Sequence, residues 1–352
     1  MPRIPLVLRR SGALAGSLLL KMALPVIGLS SVVVLGSCGS AFDAQPPVTS
    51  VSAARGSVAL HAAGRELPEP FVDAVLKAQI EDRGGELGTA GKAASSELLA
   101  DQLDRTSCSL SLPPASDRAH DLPGLMHAAC PGTLVLSKIY YCEKCKRWHA
   151  PVSATAFAIT ADGACVTNYH VFKQVEEGTV MVVTDAWGKT FPVTEVLAAS
   201  RKDDAAIFRV DVGSDRLTPL SLRTDAPTGS VIAVLSHPGG HFYSFAPGHV
   251  SRRVWRYRGM NGDVRDLSPG DAHGGDPERP SPDRLTRTLE ITADYGVGSS
   301  GGPVLDLNGN VVGMVSNTQA VYADAKERRS LQMNFHLCVP AESILGLIHK
   351  DQ

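Results

Sequence analysis

From Thr133 onward the chain consists of short apolar runs broken by turn residues every ~8–12 positions, the spacing of all-β sandwiches and barrels. Residues 133–140 form the first run. Residues 155–160 and 164–167 flank Ala161-Asp162-Gly163, and Asp-Gly between two apolar runs is a strong hairpin signal. Residues 180–184 and 190–198 flank a second turn, Asp185-Ala186-Trp187-Gly188-Lys189, and 205–210 completes a set of six strands. A second set begins near Leu217 and takes in 231–235, 249–255, 285–293, 304–307, 311–316 and 333–339. Pro340-Ala341-Glu342-Ser343 then opens a predicted C-terminal helix carrying Ile344, Leu345 and Ile348. Residues 256–284, rich in Gly, Pro, Asp and Arg, read as a long surface loop inserted in the second set.

The first third has a different texture. Arg3, Arg9 and Arg10 precede apolar runs at 14–20 and 22–35, the charge-then-apolar order of an export signal. Leu35-Gly36-Ser37-Cys38 resembles a bacterial lipobox, which implies acylation of Cys38 and a lipoprotein tethered in the periplasm or cell envelope. A cleaved secretory signal or a membrane anchor within 1–38 is the other reading. Residues 39–125 are expected to be a tether or spacer, disordered or carrying short helices. Phe71, Val72, Val75, Leu76 and Ile80 have helical spacing, Gly84-Gly85 is expected to end that helix, and 95–103 suggests a second. A formal net charge of -2 gives no field for an anionic polymer, so nucleic acid is excluded as a default partner.

Gly298-Ser299-Ser300-Gly301-Gly302-Pro303 reads as a nucleophilic serine in a glycine-rich turn. It calls for a base and an orienting acid. His170 ends the run Cys165-Val166-Thr167-Asn168-Tyr169-His170, and Asp204 precedes the run Ala205-Ala206-Ile207-Phe208, with Asp203 competing for the same role. The order His, Asp, Ser is that of the chymotrypsin-like double barrel. In that chemistry His170 takes the proton of Ser300 and Asp204 holds the imidazole in the required tautomer.

Residues 134–347 resemble the HtrA/DegP branch of trypsin-like serine proteases. The resemblance is carried by Thr155-Ala156-Phe157-Ala158-Ile159 with Thr167-Asn168-Tyr169-His170-Val171, by Asp204-Ala205-Ala206, by Ser236-His237-Pro238-Gly239, and by Gly298 to Pro303 followed by Asn308-Gly309-Asn310. It implies an all-β fold of two six-stranded barrels, over 126–215 and 216–352, and endopeptidase activity on polypeptides, of the kind used in protein quality control. No cofactor is required for catalysis. It also implies that the backbone N–H groups of Gly298 and Ser300 form the oxyanion hole, and that Ser316 supports the aspartate. Asp294, six residues before Ser300, and His336 are candidates for the specificity pocket. Two departures matter. Ser299 stands where trypsins activated by cleavage have an aspartate, so that activation step is not expected. Only residues 341–352 follow Pro340, so the PDZ domains usual in the branch are not expected. A weakly active or inactive binding or chaperone module on the same scaffold is the alternative, and it predicts a Ser300 that no active-site reagent labels.

Cys142-Glu143-Lys144-Cys145-Lys146-Arg147-Trp148-His149 is the other distinctive stretch. Cys-x2-Cys-x3-His has zinc-like spacing, with Cys130 or Cys108 as a fourth ligand. An exported chain equally suits disulfides, Cys108–Cys130 and Cys142–Cys145. The sequence leaves structural zinc and disulfide both open. Cys165 and Cys338 read as core residues.

Overall fold

The computed structural model describes residues 66–258, 264–266, 285–324 and 326–349. The predicted export signal and Cys38 lie outside them. Six strands close the first barrel: β1 (Thr133–Cys142), β2 (Arg147–Ala158), β3 (Ala164–Thr167), β4 (Thr179–Thr184), β5 (Thr190–Ser200) and β6 (Ala205–Val210). Their order around the ring is β1-β2-β3-β6-β5-β4, and all the pairs are antiparallel. The second ring holds β7 (Val231–Ser236), β8 (Ser244–Arg258), β9 (Leu285–Ile291), β10 (Pro303–Asp306), β11 (Val311–Asp324) and β12 (Arg329–Pro340). It runs β7-β8-β9-β12-β11-β10 and closes by the pairing of β7 with β10. Two six-stranded antiparallel barrels are the chymotrypsin-like architecture.

Side chains alternate faces along each strand. In β1, Leu134 and Leu136 enter one core with Ala156, Met181 and Phe208, while Val135 and Ile139 enter another with Phe157. Both faces are buried, which is why the strand reads as a continuous apolar run. The covering layer on the second face comes from the N-terminal side of the barrels. Helix α1 (Asp73–Thr89) packs Leu76 and Ile80 into the same core as Val135, Ile139 and Val182. Burying a side chain such as Ile80 stabilises the fold by ~2 kcal/mol.

Residues 66–125, within the stretch 39–125 expected as a spacer, therefore contribute helices and core residues to the fold. Gly84-Gly85 does not end α1. These glycines sit mid-helix because a Cβ at Gly84 would lie 2.9 Å from Ile139 and one at Gly85 only 2.5 Å from the Trp148 ring. Close packing outweighs the ~1 kcal/mol cost of glycine within a helix. Helix α2 (Ser96–Ala100) is capped by Ser95, whose hydroxyl accepts from the Leu98 N–H, and α3 (Leu122–Ala129) by Asp121.

Other boundaries differ from expectation as well. No strand forms near Leu217; Leu222 makes a single bridge to Val311. The predicted loop 256–284 begins as strand, since 256–258 belong to β8 and Val264–Asp266 pairs back on it; the rest of the loop lies outside the described residues. The C-terminal helix α5 (Ala341–Leu345) stops before Gly346, and Ile348–His349 pairs in parallel with Cys108–Ser109.

Candidate active site

His170 lies in a single helical turn, α4 (Tyr169–Lys173), directly after β3. Its backbone N–H donates to Asp204 Oδ1 at 3.1 Å, and its Nδ1 lies 3.0 Å from Asp204 Oδ2. Nε2 lies 3.2 Å from Ser300 Oγ. Asp204 sits in the turn before β6 with φ 55°, a left-handed conformation uncommon for any residue but glycine. The Asn168 side-chain amide donates to the Asp204 carbonyl at 3.0 Å and steadies that turn. From the second barrel, the Ser316 hydroxyl donates to Asp204 Oδ2 at 2.6 Å. Asp203 points elsewhere: its carboxylate accepts from the Ser200 and Thr286 hydroxyls. Of the two aspartates, Asp204 is the one in contact with His170.

The nucleophile turn is held mainly by main chain. Gly298 has φ 98°, and a Cβ there would meet the His237 carbonyl oxygen at 2.5 Å, so only glycine fits. The Thr155 hydroxyl donates to the Gly298 carbonyl at 3.0 Å, and the Thr155 N–H donates to the Ser300 carbonyl at 2.8 Å. Gly239 N–H donates to the Val297 carbonyl at 2.6 Å. The Gly298 and Ser300 N–H groups have no hydrogen-bond partner among the described residues, which leaves them able to receive an oxyanion. Ser299 is fully buried, and its hydroxyl meets that of Ser236 at 3.0 Å where a cleavage-activated trypsin has a charged pair.

Behind this turn lies His237, fully buried, with Nδ1 accepting from the Tyr243 N–H at 3.0 Å. Burial pushes its imidazole down to about 3, so it stays neutral in the folded protein. Tyr243 stacks on Phe71, their centroids 5.0 Å apart, and Asp73 at the start of α1 accepts from the Phe242 N–H at 3.0 Å. Thr155, Asn168, Tyr243 and Asp73 were not singled out from sequence. A threonine or an aspartate outside the expected triad carries no type signal for such roles.

A cleft of about 540 Å³ opens along His170, Ser300 and Gly298, bounded by Tyr295, Asn317 and Asn334. Neither Asp294 nor His336 lines it. The Asp294 side chain is 95% exposed and lies 3.7 Å from His336. The Tyr295 ring packs on the His336 imidazole at 4.7 Å, and the Tyr295 hydroxyl donates to the Asn317 and Leu337 carbonyls. That ring stands between His336 and the cleft-lining residues as the nearest aromatic neighbour of the imidazole. Burial lowers the His336 pKa, against the opposing charge of Asp294.

Of the cysteine cluster, the structure brings together Cys142, Cys145 and His149, whose ligand atoms all lie within 4.8 Å of one another. Cys130 is not among them. It is fully buried in the core below α3, where burial pushes its thiol up to about 12. No S–S bond joins any of the six described cysteines.

Two antiparallel barrels with a serine, a histidine and an aspartate meeting between them are the arrangement found in trypsin-like serine peptidases. Residues 154–314 of the chain match the trypsin-like peptidase domain. Its homologues are HtrA-like. It is 33% identical over 167 residues to serine protease Rv3671c of Mycobacterium tuberculosis, covering 47% of this chain and 36% of that one. It is 24% identical over 198 residues to Protease Do-like 1, chloroplastic, of Arabidopsis thaliana, covering 56% of this chain and 38% of that one. The crystal structure of the active form of Rv3671c protease aligns with a TM-score of 0.44 at 25% identity, over 71% of this chain and 95% of that one. The matched stretch thus spans well under half the length of these curated relatives.

Proposed function

We propose that this protein is an exported serine endopeptidase that cleaves polypeptides through an acyl-enzyme intermediate. The observation that carries the reading is the unbroken run of contacts from Ser316 through Asp204 and His170 to Ser300, drawn from both barrels. Ser300 Oγ attacks the scissile carbonyl as His170 Nε2 takes its proton. Asp204 accepts from the Nδ1–H, which keeps Nε2 free as the base and stabilises the imidazolium that forms. The Gly298 and Ser300 N–H groups receive the negative oxygen of the tetrahedral intermediate. His170 then returns its proton to the leaving amine, and the same steps with water release the acid product.

In this reading residues 1–38 export the chain and Cys38 carries the lipid that tethers it at the cell envelope. Replacing Cys38 with alanine then moves the protein from the membrane fraction to the soluble fraction. The catalytic proposal is tested with a fluorophosphonate probe, followed by a peptide library. The wild-type protein is expected to be labelled and to cleave peptides. Ser300→Ala is expected to do neither while keeping its circular dichroism spectrum. A folded wild-type protein that takes no label overturns the proposal in favour of a binding module on a protease scaffold.

A further inference from the structure

The serine chemistry makes no use of Cys142, Cys145 and His149, and none of them lines the cleft. They occupy the tip of the β1–β2 hairpin. Cys142 pairs with Arg147 at the end of the ladder, and the Lys146 N–H closes the turn on the Cys142 carbonyl at 2.8 Å. Lys146 adopts φ 55°, so the turn bends back through a left-handed residue with no glycine to ease it. That bend brings Cys145 Sγ to 2.9 Å from His149 Nε2, across the end of the hairpin.

Lys144, Lys146 and Arg147 add positive charge along the same turn, Lys146 being paired with Glu143. Tetrahedral zinc, with Zn–S near 2.3 Å and Zn–N near 2.0 Å, separates its ligand atoms by about 3.5 Å. The three atoms here all lie within 4.8 Å of one another, and Cys145 Sγ and His149 Nε2 are 2.9 Å apart. A simple Cys142–Cys145 bridge gives His149 nothing to do, whereas a metal uses all three groups. Two sulfurs and one imidazole form a donor set that suits zinc over harder cations.

We propose that Cys142, Cys145 and His149 bind a zinc ion that clips the tip of the hairpin, with the fourth position open to water. Binding releases one proton from each thiol, and the two thiolate charges balance the metal. Trp148, between the ligands, points to the other side of the strand and packs on Gly85 and Gly88 of α1, with its indole N–H donating to Thr89 Oγ1 at 3.2 Å. The clip therefore holds one end of β2 against α1.

The test is metal analysis of the full chain purified without chelator, followed by titration of reduced, metal-free protein with cobalt(II). One zinc per chain, and a cobalt complex with thiolate charge-transfer and tetrahedral ligand-field bands, is expected. Cys145→Ser and His149→Gln are expected to weaken zinc at least tenfold in competition with a chromophoric chelator, and Cys108→Ser to leave it unchanged. Should a variant fail to fold, the wild-type stoichiometry and cobalt spectrum decide alone. Reduced protein that takes up neither zinc nor cobalt overturns the proposal. So does native protein whose Cys142 and Cys145 are recovered as a disulfide by peptide mass.

Discussion

His170 and Asp204 are placed by side-chain hydrogen bonds, whereas Ser300 is placed by the path of the main chain. Around the His170–Asp204 pair of the first barrel, carboxylate, imidazole and hydroxyl groups satisfy one another, and the supporting Asn168 and, from the second barrel, Ser316 act through their side chains. On the second barrel, the decisive features are the φ of Gly298, the carbonyl of His237 beneath it and the two bonds from Thr155. A site built from side chains loses function when a group changes its chemistry. A site built from backbone loses function when something as small as a methyl group is added.

Substitutions that separate chemistry from volume test this contrast. The largest effect is expected from Asp204→Asn, which keeps the shape and reverses the hydrogen-bond role. Steady-state assays should show a fall in kcat of about 10⁴-fold with the fold intact. Gly298→Ala adds one methyl against the His237 carbonyl and is expected to lower kcat by about 10²–10³-fold, the scale of losing an oxyanion donor. An alanine there that keeps full activity would break the contrast, because the turn would then tolerate volume. Thr155→Val keeps volume and removes the hydroxyl that bonds Gly298, so a loss of about 10-fold in kcat with little change in KM is expected.

The smallest effect concerns His237 and is read in stability. Its folded pKa, about 3, lies below the ~6.5 of an unfolded histidine. As pH falls through that window the unfolded chain binds a proton that the folded chain refuses. Stability is therefore full above ~6.5 and declines toward 3, by about 1.4 kcal/mol per pH unit from this group. Urea midpoints measured from pH 7 to pH 5 should fall less steeply in His237→Gln than in the wild type.

The same contrast explains what the sequence disclosed. His170, Asp204 and Ser300 were legible because their chemistry is a property of residue type, and the strands because their apolar runs end at turn residues. Support supplied by backbone has no such signature. Thr155 is an ordinary strand threonine until its two contacts with the nucleophile turn are seen. Gly84-Gly85 looks like a helix stop because local propensity is all the sequence displays; the indole and the Ile139 side chain that require glycine there come from strands more than fifty positions away. Asp294 has the spacing of a specificity residue, yet its carboxylate is exposed to solvent and does not line the cleft, whereas the neighbouring Tyr295 does. The extended ends of β11 and β12 are largely exposed and mix Val321, Leu331 and Met333 with polar residues, so no continuous apolar run marks them.

The seat of Trp148 on Gly85 and Gly88 has an optical consequence. The chain contains three tryptophans, and this one lies between two residues of the hairpin-tip cluster with its indole N–H tied to Thr89. An indole lifted from that ledge into water shifts its emission to the red. Trp148 is thus a built-in fluorophore for the contact between hairpin and helix, and its emission can be followed during unfolding without attaching a dye.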